Sequence, residues 1–107
     1  MTDTITHGTG NVFADIGLPD AGDRQTKTRL AMAVNALIAD RKLRQADAAL
    51  VLGIPQPRIS ALRHYKLDAF SVEKLLEFLT ALDQDVDIMI RPHAGDGAGA
   101  VSVLTVR

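Results

Sequence analysis

The side chains best suited to recognition chemistry lie within one stretch, Gln45 to Lys66, QADAALVLGIPQPRISALRHYK. A Gln amide can make two hydrogen bonds to adenine, and an Arg guanidinium can do the same with guanine N7 and O6. Gln56 and Arg58 therefore stand as candidate base readers. Pro57 offers an apolar surface for a thymine methyl. Ser60 and Ala61 follow about a turn later, Ala61 being small enough for close approach. Arg63, His64 and Lys66 suit phosphate oxygens, and so do Lys42, Arg44 and Gln45 at the other end of the stretch. The competing reading of Gln56 and Arg58 is plain solvated surface.

These residues need a scaffold, and the same stretch supplies one. Counting Gln45 as the first residue, the fifth is Ala49, which lets two helices approach closely, and the ninth is Gly53, which can take the left-handed backbone of a sharp turn. Leu52, Ile54, Ile59 and Leu62 fall where side chains point into the angle between the helices, leaving Gln45, Gln56, Arg58 and Arg63 to face outward. Pro55 and Pro57 are tolerated in the first turn of the second helix, where amides lack partners anyway. The expectation is a helix-turn-helix whose second helix starts near Pro55 or Gln56 and enters a DNA major groove.

The charge layout agrees. The 107-residue chain has a net charge of −1. From Arg24 to Lys66, however, nine basic residues face only Asp40 and Asp47, a net +7, while the flanks carry three basic and eleven acidic residues, a net −8. Such segregation predicts one phosphate-attracting face and an acidic remainder suited to a basic partner. Charges that merely solvate helix surfaces are the bland alternative.

The length suits one domain with one modest core. The absence of cysteine excludes a disulfide framework and Cys-based zinc sites. The polar N-terminus lacks a signal pattern, and no run approaches the roughly 20 apolar residues of a membrane span. A cytoplasmic protein without membrane association is expected. Enzyme chemistry has little support: His7, His64 and His93 are scattered, no nucleophile motif is present, and Asp85 with Asp87 reads as a solvated strand edge. GDGAGA follows no buried strand and precedes no helix, which argues against a phosphate loop. No metal or cofactor is expected.

Around the recognition stretch, residues 1–10 read as a flexible N-terminus and residues 11–83 as a helical DNA-binding domain. Asn11–Gly17 suggests a very short helix with an apolar face of Val12, Phe13 and Ile16, extended by Leu18. Pro19–Asp23 reads as a turn with Asp23 capping a helix from about Arg24 to Arg41, whose Leu30, Val34, Leu37 and Ile38 face the core. Leu67–Phe70 reads as a linker, and Ser71 caps a helix from Val72 to about Leu82. After Asp83 the period changes to two: Val86, Ile88 and Ile90 alternate with polar residues and Met89, so Asp85–Arg91 reads as a strand ended by Pro92. Val101–Arg107 has strand propensity and either forms a hairpin with it or remains a frayed tail. One or two strands make no stable sheet alone, so residues 84–107 are expected to dimerise through Val86, Ile88 and Ile90, each strand pairing with its copy. Such a homodimer would read the two half-sites of a pseudo-palindromic operator in double-stranded DNA.

The segment LRQADAALVLGIPQPRISALRHYK resembles the helix-turn-helix of the XRE family of phage lambda-like repressors. NVFADIGLPD and FSVEKLLEFLTALDQDVDIMIRP extend the likeness to HigA-type antitoxins, over roughly residues 11–92. The resemblance implies a mainly α fold: a lambda-repressor-like five-helix domain followed here by the C-terminal strand or hairpin. It also implies an antitoxin that represses its own operon and neutralises a toxin protein of RelE/HigB type. It maps phosphate binding onto Gln45, and groove contacts onto Gln56, Pro57, Arg58 and Ala61. Arg44 and Pro55 stand where Ser or Thr caps are usual, Ala48 where a larger core residue is usual, and Leu50 where a polar one is. Partial burial is expected for Leu50; facing outward, it would be a candidate protein-contact residue. Two alternatives remain open: a stand-alone transcriptional regulator without a toxin, and a protein-interaction module that binds no DNA.

Overall fold

The computed structural model describes residues 20–106, with side chains from Asp23 onward. The expected short helix over Asn11–Gly17 and the flexible N-terminus lie outside the described residues. Within them the fold is four α-helices: α1 (Asp20–Asp40), α2 (Gln45–Leu52), α3 (Gln56–Arg63) and α4 (Val72–Ala81). The expected five-helix count is not observed: the described residues form these four helices.

Helix α1 starts at Asp20, earlier than expected, so Asp23 does not cap it. Asp23 instead lies in the first turn and pairs with Lys27 one turn on, at 3.5 Å. A carboxylate is favourable there as well as at the cap, because the first amides of a helix point at it. Leu30, Ala31, Val34 and Ile38 are buried along one stripe, with Ala33 and Leu37 at its margin. That stripe packs mainly on α4, whose Val72, Leu75, Phe78 and Leu79 are buried in turn. Ser71 caps α4 as expected, its Oγ accepting from the Lys74 amide at 3.0 Å.

Residues Leu67 and Phe70, expected as linker, belong to the core. Phe70 packs edge-on against Phe78, with ring centroids 5.9 Å apart and an interplanar angle of 74°. Edge-to-face geometry brings the positive ring edge of one aromatic onto the negative face of the other, a gain of about 0.5–1.5 kcal/mol beyond burial. The 67–70 segment is therefore a plug between α3 and α4.

All four helices end the same way. Lys42, Gly53, Tyr65 and Asp83 take left-handed backbone conformations with φ of 56°, 69°, 59° and 65°. The following amide then reaches back to a carbonyl in the preceding turn: Leu43 to Ile38, Ile54 to Ala49, Lys66 to Ala61 and Gln84 to Leu79. This closure satisfies carbonyls that the helix leaves open. Only Gly53 adopts the conformation without a Cβ penalty. At the end of α4 the strained Asp83 is held by Arg41, whose Nη2 donates to its carboxylate at 3.1 Å and also to the Leu82 carbonyl. Arg41 thus ties the end of α1 to the end of α4.

No β-strand forms among the described residues. The expected strand over Asp85–Arg91 and the hairpin with Val101–Arg107 are not observed; residues 84–106 run without a ladder. Only Val86 and Val103 rest on the helical core. A strand is defined by its hydrogen-bonded neighbour, and a single chain offers this segment none.

Candidate nucleic-acid interface

The recognition stretch folds as its steric pattern requires. Leu52, Ile54, Ile59 and Leu62 are all buried, Ala48 is fully enclosed, and Gly53 makes the turn. Ala48 shows why a small residue suffices at that site: α2 lies directly on the core there, so no larger side chain fits without displacement.

Neither helix has a side-chain cap of its own. Arg44 occupies the N-cap of α2 but carries no acceptor. Asp47 supplies the missing order, its Oδ2 accepting from the Arg44 amide at 3.3 Å and from Arg44 Nε at 3.2 Å. Pro55 occupies the N-cap of α3, and Pro57 sits in the first turn, where its missing N–H breaks no helical bond. Fixed φ at both prolines limits the conformations open to the start of α3.

The starts of the two helices are joined by one hydrogen bond. Gln45 Nε2 donates to the Gln56 carbonyl at 3.2 Å, linking the first residue of α2 to the first residue of α3. Gln45 retains its second amide hydrogen and lies beside the unpaired backbone N–H groups of α2, an arrangement suited to a phosphate oxygen. Gln56 and Pro57 are exposed at the start of α3, while Ser60 and Ala61 are half-buried a turn later. Lys42, Arg44, Arg63 and Lys66 are exposed at the two ends of the unit. His64 is exposed too, but its ring is turned back along α3, with Nδ1–H donating to the Ser60 carbonyl at 2.8 Å. A neutral ring held this way presents a lone pair at Nε2, so only the imidazolium could donate to phosphate.

Arg58 differs from the outward orientation expected. It is half-buried, its guanidinium 4.5 Å from the Phe70 ring centroid, with Nη2 donating to the Ala69 carbonyl at 3.3 Å. Its Nε is enclosed and has no hydrogen-bond partner among the described residues. The guanidinium plane thus covers the aromatic plug beneath it. Leu50 is also corrected: it is 83% exposed rather than partly buried. Its neighbours Ala49 and Leu52 take the inward directions of this short helix.

Asn35 is a supporting residue that the sequence reading passed over. It lies half-buried on α1, and its Nδ2 donates to the Leu62 carbonyl in the last turn of α3 at 3.1 Å. A polar residue beside the helix's apolar stripe, one position after Val34 and three before Ile38, was the available signal. The bond fixes the far end of α3 against α1, as the Gln45 bond fixes its start.

Two short helices at a glycine turn, with a polar helix start presented to solvent and cations at both ends, define a helix-turn-helix DNA-binding unit. Residues 12–91 match a family model described as "Helix-turn-helix domain". A solved structure named "Putative XRE Family Transcriptional Regulator" is 55% identical, with a TM-score of 0.79, and the match spans 82% of this chain and all of that one. The chain belongs to the XRE family of helix-turn-helix regulators. No curated protein matches it. No helix among the described residues is long and apolar enough to cross a membrane, and no group of three or more His, Cys, Asp or Glu side chains there could hold a metal ion.

Proposed function

We propose that this protein is a sequence-specific transcriptional repressor that binds a pseudo-palindromic operator as a homodimer, with α3 in the major groove. The observation that carries the reading is the Gln45–Gln56 bond, which presents the starts of α2 and α3 together. Phosphate contacts fall to Lys42, Arg44, Gln45, Arg63, His64 and Lys66, which set position. Base contacts fall to Gln56, Pro57, Ser60 and Ala61, which set sequence.

Arg58 joins the base contacts by leaving Phe70. Departure costs the cation–π contact, about 0.5–2 kcal/mol. It also breaks the bond to Ala69 but frees the enclosed Nε for solvent or a base. A bidentate pair with guanine returns about 1–3 kcal/mol. The exchange is favourable only where a guanine lies within reach, so the stored arginine contributes discrimination rather than general affinity.

The dimer reading is supported by the alternation Val86, Ile88, Ile90 in a segment that lacks a ladder partner within its own chain. Truncation before Asp85 should give a monomer; a dimer surviving that truncation would contradict it. The antitoxin role is supported by the likeness to HigA-type antitoxins and by the acidic flanks, which suit a basic toxin of RelE/HigB type. Co-expression with a small basic protein encoded next to this one should give a stable complex and relieve growth arrest. Growth arrest that persists would leave a stand-alone regulator. DNA binding itself is tested on operator and scrambled duplexes at rising salt. Specific binding with a steep salt slope is expected, whereas equal affinity for both duplexes or no salt dependence would refute it.

A further inference from the structure

Among the described residues, Lys42, Tyr65 and Asp83 hold left-handed backbone without being glycine. That conformation costs a side chain free energy that glycine avoids, and a bulky side chain is the rarest there. Two of the three have an evident return. Asp83 accepts a hydrogen bond from Arg41, which ties α1 to α4. Lys42 is exposed and sets a cation just before α2, where a phosphate is proposed to lie. Tyr65 has no such return within the chain. It is 45% exposed and forms no aromatic or cation–π contact. Its hydroxyl has no hydrogen-bond partner among the described residues.

The backbone at Tyr65 is pinned on both sides. Its amide donates to the Leu62 carbonyl at 3.1 Å, and the Lys66 amide reaches back to the Ala61 carbonyl at 2.9 Å. Asn35 on α1 donates to the same Leu62 carbonyl. The phenol therefore leaves from a fixed corner at the end of α3, between exposed His64 and exposed Lys66. The neutral His64 ring spends its one N–H on the Ser60 carbonyl and has none left for a phosphate. We propose that Tyr65 is a further DNA contact, its hydroxyl donating to a backbone phosphate beside the Lys66 contact. The proposal rests on the DNA-binding reading above and adds a residue that neither charge nor helix spacing marks. A hydroxyl bonded to an ionised oxygen is among the stronger hydrogen bonds. A tyrosine on a held backbone has only two torsions to fix on binding, so little entropy is lost. Strain kept at a binding surface is the pattern expected where stability is exchanged for contact.

The test measures DNA affinity and stability on the same full-length variants. Tyr65→Phe keeps the ring and the backbone conformation and removes only the hydroxyl. It should bind operator and scrambled duplexes alike about tenfold more weakly, with an unchanged denaturation midpoint. Tyr65→Gly should bind at least as weakly while its midpoint rises. Affinity and stability moving in opposite directions is the signature, because a residue that only supports the fold moves both the same way. The phenol carries no charge, so the salt slope of Tyr65→Phe should match the parent's, whereas Lys66→Gln should lower it by about one. A Tyr65→Phe variant that binds as the parent does overturns the hydroxyl contact. A loss confined to the operator overturns the phosphate assignment in favour of a base. A parent protein that binds neither duplex removes the DNA-binding reading itself, and the role of Tyr65 with it.

Discussion

The helical region and the extended region that follows it treat the same kind of side chain in opposite ways. In α1–α4 the apolar stripes are buried against one another, and each helix end is closed by backbone bonds. In residues 84–106 the apolar residues alternate just as regularly, yet Ile88, Met89, Ile90, Leu104 and Val106 remain exposed. Helices satisfy their backbone within one segment and need neighbours only for their stripes. Extended chain needs a neighbour for both. The helical region satisfies its backbone within itself, whereas the extended region among the described residues forms no ladder.

The sharpest way to break that contrast is a pair of truncations to alanine. Phe78→Ala, in the core beside Phe70, should cost about 3–5 kcal/mol and lower the thermal midpoint at every protein concentration. Ile90→Ala should leave the midpoint of dilute protein within about 0.5 kcal/mol of the parent and weaken only self-association. A large loss from Ile90→Ala in the dilute protein would show that the extended region stabilises the single chain, against the contrast drawn here.

Within the helical region the contrast sharpens at Arg58, which packs on Phe70 and is proposed above as a base contact. Arg58→Ala should cost about 1–3 kcal/mol of operator binding and relax the preference at one base step, measured by titration against single-base operator variants. An equal loss on all sequences would make it a phosphate contact. Unchanged DNA binding with a lowered melting temperature would confine it to the cover over Phe70.

A smaller effect tests the helix closures. Tyr65→Gly removes the Cβ penalty of a left-handed residue at an exposed position and should stabilise by roughly 0.5–1 kcal/mol, read from chemical denaturation. A destabilisation would mean that the Tyr65 ring contributes more contact than its exposed position suggests.

What the sequence made legible follows from the range of each cause. The inward set Leu52, Ile54, Ile59 and Leu62, the turn at Gly53 and the cap at Ser71 depend on local spacing, and the structure agrees with all of them. The packing of Arg58 on Phe70 was not legible because Phe70 lies twelve residues on and across a turn, where no periodicity reports the encounter. Leu50 was expected to be partly buried on hydrophobicity alone, but one face of an eight-residue helix was already filled by its neighbours. The left-handed closures at Lys42, Tyr65 and Asp83 lack the glycine that would announce them. The start of α1 was placed at the strongest cap signal, Asp23, although an acidic residue is equally at home one turn inside. The strand was expected from a period-two pattern, but alternation alone supplies no hydrogen-bonded neighbour, and neither strand nor hairpin forms among the described residues.

The central claim is that Gln45–Lys66 reads DNA as one half of a two-fold pair. The most direct measurement is a footprint of the full protein on the DNA upstream of its own coding sequence, at low salt. The account expects two protected half-sites related by a two-fold axis, their centres one helical turn or a whole multiple of it apart, about 34 Å for one turn. No protection, or a single unpaired site, would contradict it.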